Sequence, residues 1–169
     1  MLERAGIAER LFDALFLWTR RLPGGLAVCT ILLGVVFAAA SGVVGATETV
    51  IGLLAIPIMM KHGYDKSLIS GTICSGGSLG TIIPPSVLVI IMAPVADVSV
   101  GDLFAGLLFP GLIMAALFIA YIMVRCIITP SLAPNIEISE EDLPDWGVMI
   151  RRTSFALLPP VFLIFTVLG

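Results

Sequence analysis

Two stretches of this chain concentrate residues that could hold an ion or a small polar solute. The first is Ser41-Gly42-Val43-Val44-Gly45-Ala46-Thr47-Glu48-Thr49, and the second runs from Ser75-Gly76-Gly77-Ser78 through Gly80-Thr81 to Pro84-Pro85-Ser86. Both lie inside long apolar runs. Hydroxyls offer donors and acceptors without burying a charge, and glycines let a ligand approach the backbone. A bilayer supplies no water to free N–H and C=O groups, so non-helical backbone at that depth must be buried in protein or line a cavity. Paired Gly/Pro interruptions of apolar segments are a sequence pointer to a carrier's binding site. The candidate binding residues are therefore Ser41, Gly42, Gly45, Thr47, Glu48 and Thr49 in the first stretch. In the second they are Ser75, Gly76, Gly77, Ser78, Gly80, Thr81, Pro84, Pro85 and Ser86. The competing reading is small-residue helix packing with no ligand.

The elements that must position these residues follow from composition. The chain has 169 residues, 59% of them hydrophobic and only 12% charged, with a mean hydropathy of +1.12. A soluble domain carries about twice that charge fraction. An all-α integral membrane protein is expected. No basic block suggests nucleic acid. Cys29, Cys74 and Cys126 have no metal-ligand spacing. The apolar segments hold no His-Asp-Ser set and no second carboxylate to pair with Glu48, which argues against a membrane enzyme.

Residues 1–21 read as an amphipathic interfacial arm. Leu2, Ile7, Leu11, Leu15 and Trp18 form one face, and Glu3, Arg4, Glu9, Arg10, Asp13, Arg20 and Arg21 line the other. Residues 22–60 are too long for one crossing. Arg20 and Arg21 precede them, and Lys61, His62 and Lys66 follow. Positive flanks favour the cytoplasmic side, so both ends belong there and the segment is a re-entrant hairpin with its tip near 41–48. Residues 67–96 form a discontinuous transmembrane helix, unwound over 75–86. Residues 103–125 form a further span. Residues 129–150 make a cytoplasmic acidic connector, and 153–169 begin another span. Both ends look cut, as in part of a longer protein.

The residues around these breaks resemble a known family. Ala40-Ser41-Gly42 through Thr47, Ile56-Pro57-Ile58-Met59-Met60-Lys61 with Gly63-Tyr64-Asp65, and Gly80-Thr81-Ile82-Ile83-Pro84-Pro85-Ser86 carry the likeness, and Asp102-Leu103-Phe104 and Phe109-Pro110-Gly111-Leu112 continue it. The chain is similar to the large membrane subunit of TRAP (tripartite ATP-independent periplasmic) transporters, over roughly the first of that subunit's two inverted repeats. The resemblance implies a multi-pass permease of the bacterial cytoplasmic (inner) membrane. It implies a sodium-coupled, elevator-type secondary transporter that imports an organic acid, with no cofactor beyond Na+ as coupling ion. It also implies a small membrane subunit and a periplasmic solute-binding protein as partners. Sodium takes oxygen ligands from unwound carbonyls and hydroxyls; Ser41, Gly45, Thr47, Gly76 and Ser78 are the candidates for it. Half-helix N-termini suit a carboxylate. The alternatives are a stand-alone sodium/anion symporter and a non-transporting structural subunit.

Overall fold

The computed structural model describes residues 7–20 and 22–134. Their helices are α1 (Ile7–Thr19), α2 (Gly25–Ser41), α3 (Val44–Lys61), α4 (Lys66–Ile82), α5 (Val87–Ala96) and α6 (Val100–Ile128), followed by one 3-10 turn at Pro130–Leu132. The rest of the expected acidic connector and the span expected at 153–169 lie outside the described residues.

The chain is helical for the reason its composition predicts. In an apolar surrounding the backbone N–H and C=O groups must bond one another, which helices and closed barrels achieve. The turns sit where a residue stops the ladder. Gly42 adopts φ 62° at the end of α2 and sends its N–H back to the Ala38 carbonyl at 3.0 Å, the left-handed stop that glycine tolerates best. Asp65 starts α4, its Oδ1 accepting the N–H of Ser67 at 2.9 Å and of Leu68 at 3.4 Å. An N-terminal cap of this kind contributes about 1 kcal/mol.

Contacts fix the directions. Leu26 N–H donates to Tyr64 Oη at 3.4 Å, the Thr30 hydroxyl reaches Met59 Sδ at 3.8 Å, and Ser41 meets Thr47 at the other end. The residue numbers rise on one side as they fall on the other, so α2 and α3 are an antiparallel hairpin. Helix α4 runs parallel to α2: Gly34 faces Gly76, and Gly42 faces Pro85. Helix α6 returns antiparallel, with Gly111 against Ile82 and Ile83, Cys126 against Gly24, and the Leu132 carbonyl accepting the Asp65 N–H at 3.0 Å.

Helix α2 is the core of this bundle. Twelve of its 17 residues are buried, all round over residues 25–31 and with Leu32, Val35, Val36 and Ala40 half-buried further along, as suits a sequence that is apolar all round. Its docking on α4 depends on small residues. A Cβ on Gly34 would come within 2.8 Å of the Gly76 carbonyl oxygen, so the two backbones touch as closely as glycines permit. Helix α6 buries only a narrow stripe (Phe104, Gly111, Ala115, Ile122 and Cys126). Phe109, Leu117, Val124 and Ile128 are exposed, an apolar surface suited to lipid or to further protein. Among the described residues, three stretches are long and apolar enough to cross a membrane: Val44–Lys61, Lys66–Ala96 and Val100–Ile128.

Two boundaries differ from expectation. The second interruption is much shorter than 75–86. Helix α4 continues through Ser75, Gly76, Gly77, Ser78, Gly80 and Thr81, and the chain leaves helical geometry only over Ile83–Ser86. Glycines and serines inside an apolar helix are tolerated when close packing stabilises it; the Pro84-Pro85 pair, which lacks two backbone donors, is what the helix cannot continue through. Helix α6 also runs further than 103–125, because Ser99 starts it early and Pro110 is accommodated within it.

Candidate functional site where two helix breaks meet

Because α2 and α4 run parallel, their C-terminal ends finish at the same level. The first break, Gly42-Val43, therefore lies against the second, Ile83–Ser86. The Val87 N–H points to the Gly42 carbonyl at 3.5 Å, and a side chain on Gly42 would run into the Pro85 carbonyl oxygen. Along α6 this level is marked by Gly111, 14 residues from Arg125 and 11 from Val100. At 1.5 Å per residue these are about 21 Å and 16 Å. The junction is internal to the long axis of the bundle, not at an end.

Its polar atoms are few and close. Ser41 Oγ and Thr47 Oγ1 share a hydrogen bond of 2.6 Å. Thr47 Oγ1 also donates to the Val43 carbonyl at 2.9 Å, which ties the first turn of α3 to the tip. Thr47 is buried, 1% exposed, and packs beside Gly80, where an added Cβ would come within 3.3 Å of Thr47 Oγ1. Ser86 is the unusual group. It is fully buried, it precedes α5, and its Oγ has no hydrogen-bond partner among the described residues. Leaving a buried hydroxyl unpaired costs about 1–3 kcal/mol. A cation or solute atom at the junction would remove that cost.

Dipoles point the same way. The last carbonyls of α2 and α4 end here and favour a cation; the first N–H groups of α3 and α5 begin here and favour an anion. Glu48 lies beside the junction, half-buried, with its side-chain stem over Gly77.

The junction thus brings together Ser41, Gly42, Thr47, Glu48, Gly77, Gly80, Pro85 and Ser86, with Pro84 buried in the same break. The other candidates stand apart. Gly45 and Thr49 are exposed on α3, and the Thr49 hydroxyl donates to the Gly45 carbonyl at 2.7 Å. Ser78 donates to the Ser75 carbonyl and Thr81 to the Ser78 carbonyl, each at 2.8 Å. Those two hydroxyls are bonded to their own helix. Ser75 lines a separate cavity toward the other end of α4. Gly76 is buried against α2. Sequence reasoning missed Gly34, although a glycine in mid-helix is a signal for close packing. It also missed the Val43 carbonyl, which no side chain announces.

The comparisons with known proteins agree with a carrier. The profile of the family described as "Tripartite ATP-independent periplasmic transporter, DctM component" matches residues 1–169. A C4-dicarboxylate TRAP transporter large permease protein, DctM, of Pseudomonas aeruginosa is 38% identical over 96 residues, which is 57% of this chain and 22% of that protein. An isethionate TRAP transporter permease protein, DctMQ, of Oleidesulfovibrio alaskensis is 36% identical over 96 residues, 57% of this chain and 15% of that protein. An ectoine/5-hydroxyectoine TRAP transporter large permease protein, UehC, of Ruegeria pomeroyi is 32% identical over 100 residues, 59% of this chain and 23% of that protein. The matched part of this chain spans about a quarter or less of these relatives' length. The chain belongs to the DctM component family of tripartite ATP-independent periplasmic transporters, a permease family of bacterial membranes and not an enzyme family.

Proposed function

We propose that this chain forms part of the membrane permease of a sodium-coupled secondary transporter that imports an organic acid. A periplasmic solute-binding protein delivers the solute, and a small membrane subunit completes the complex in the bacterial cytoplasmic membrane. The observation that carries the reading is the meeting of two helix breaks, the second of which holds a buried Ser86 Oγ without a hydrogen-bond partner among the described residues. Sodium fits that set: it takes neutral oxygens from hydroxyls and helix-end carbonyls without needing a soft ligand. Ser41, Thr47 and Ser86, with the Val43 and Gly42 carbonyls, would hold it. The bound cation would supply positive charge beside the α3 and α5 N-termini, where a carboxylate is already favoured. The relatives named for C4-dicarboxylate and isethionate support an organic anion as the solute class.

The hairpin and the α4–α5 pair then act as one moving body, because α2 packs against both α3 and α4 and its C-terminal end lies where the two breaks meet. In an elevator-like cycle this body shifts the junction between the two faces of the membrane. The end bearing Lys61, His62, Lys66 and Arg125 faces the cytoplasm. Arms of 17 and 18 residues, about 26–27 Å long, bring the hairpin tip deep into the ~30 Å apolar layer.

The test is uptake into proteoliposomes holding the permease with its small subunit. Radiolabelled organic acid accumulates only when an inward sodium gradient and the solute-binding protein are both present. Equal uptake without the binding protein would favour a stand-alone symporter, and uptake that ignores sodium would contradict the coupling.

A further inference from the structure

A second cavity lies at the opposite end of α4 from the junction. It has a volume of about 260 Å³ and sits between the first half of α4 and the last third of α6. Its apolar lining is Leu68, Phe118, Ile122 and Leu132, with Thr72 and Tyr121 among the polar residues beside them. Its rim carries one carboxylate, Asp65, and one guanidinium, Arg125. The two charges line the same space without forming an ion pair with each other. Asp65 uses only Oδ1, for the α4 cap, and no hydrogen bond or ion pair engages the Arg125 guanidinium among the described residues.

An opposed pair left unjoined across a cavity is matched by a ligand that carries both charges. We propose that this cavity binds the headgroup of a zwitterionic phospholipid, with its phosphate on Arg125 and its primary ammonium on Asp65. Guanidinium matches phosphate through paired N–H donors. The Asp65 carboxylate accepts from an ammonium and repels a headgroup that is only anionic. The cavity is below the ~300–1,000 Å³ of pockets for drug-sized ligands, which suits a headgroup and not a whole lipid. The acyl chains have a surface to follow: Leu117, Val124 and Ile128 on α6 are exposed and apolar. The level is right as well: Lys61 and Lys66 are exposed at the same end, as residues at the headgroup level of a membrane are. The inference does not depend on the ion site, which is at the far end of α4.

The test is native mass spectrometry of the purified full chain after detergent exchange, with phosphatidylethanolamine, phosphatidylglycerol and phosphatidylcholine offered in equal amounts. The chain retains phosphatidylethanolamine over phosphatidylglycerol by about fivefold, as one partly screened charge pair gives. Asp65→Asn keeps the α4 cap, since Asn caps as well as Asp, and abolishes that preference. Arg125→Gln lowers retention of all three lipids, with helical content unchanged by circular dichroism. Equal retention of the ethanolamine and glycerol lipids by the unaltered chain overturns the proposal, as does an undiminished preference in Asp65→Asn. Full competition by water-soluble glycerophosphoethanolamine overturns the lipid source, because the acyl chains would then contribute nothing.

Discussion

The two breaks in this bundle solve the same problem differently. At the first, the chain reverses in two residues. Gly42 ends α2 in left-handed geometry, and Ser41, Thr47 and the Val43 carbonyl satisfy one another. At the second, the chain leaves the helix over four residues and resumes in α5 with Ser86 buried and unpaired. The first break is closed by its own hydrogen bonds. The second is covered by the first, through Gly42, but not satisfied by it. Polarity alone does not open a helix in an apolar setting. Ser75, Gly76, Gly77 and Ser78 stay helical, while two prolines do not. The two sides also do different work: one is a preformed edge, the other supplies the unmet demand.

The largest expected effect comes from Gly42→Val. A β-branched residue at φ 62° costs about 1–3 kcal/mol in backbone strain, and the Pro85 backbone blocks its side chain. Thermal unfolding in detergent should show a severe loss of stability. A near-normal melting temperature would mean that the two breaks do not touch. Gly34→Ala should be next. It presses on the Gly76 backbone, and overpacking of this kind costs about 1–3 kcal/mol. Both breaks should suffer together, since α2–α4 docking sets their common level; loss of sodium response at unchanged helicity would be the signature.

Gly77→Val sharpens the contrast. Here the new side chain meets the stem of Glu48 and not backbone, so the Glu48 side chain must swing away and its carboxylate is displaced. Insertion should persist, the melting temperature should fall less than in Gly42→Val, and uptake should be lost. Full uptake would remove Gly77 and Glu48 from the site. The smallest effect is expected from Ser78→Ala. Its hydroxyl is bonded to its own helix, and its removal should change stability by no more than about 0.5 kcal/mol and leave sodium dependence untouched. A raised sodium requirement would return Ser78 to the ligand set.

Much of this architecture was legible in the sequence. The flanking positive charges and the length of 22–60 pointed to a hairpin, and its turn falls at Gly42-Val43, within the polar stretch that marked it. The presence of a second break was legible from Pro84-Pro85. Its extent was not, because Gly76 and Gly80 serve packing against α2 and Thr47, and sequence alone does not distinguish a glycine that loosens a helix from one that lets another helix approach. The pairing of Ser41 with Thr47 was within reach of spacing arguments. The isolation of Ser86 was not, since it depends on which side chains fail to arrive. The Asp65–Arg125 cavity joins residues 60 positions apart and left no local signature.

On the proposed reading a cation completes Ser86, which is buried without a hydrogen-bond partner among the described residues. The most direct measurement is the melting temperature of the purified protein in sodium against equal potassium, for the unaltered chain and for Ser86→Ala. Sodium should stabilise the unaltered protein and leave Ser86→Ala unmoved, while the variant in potassium melts slightly higher, because removing an unsatisfied hydroxyl gains about 1 kcal/mol. An equal sodium shift in both proteins would contradict the account.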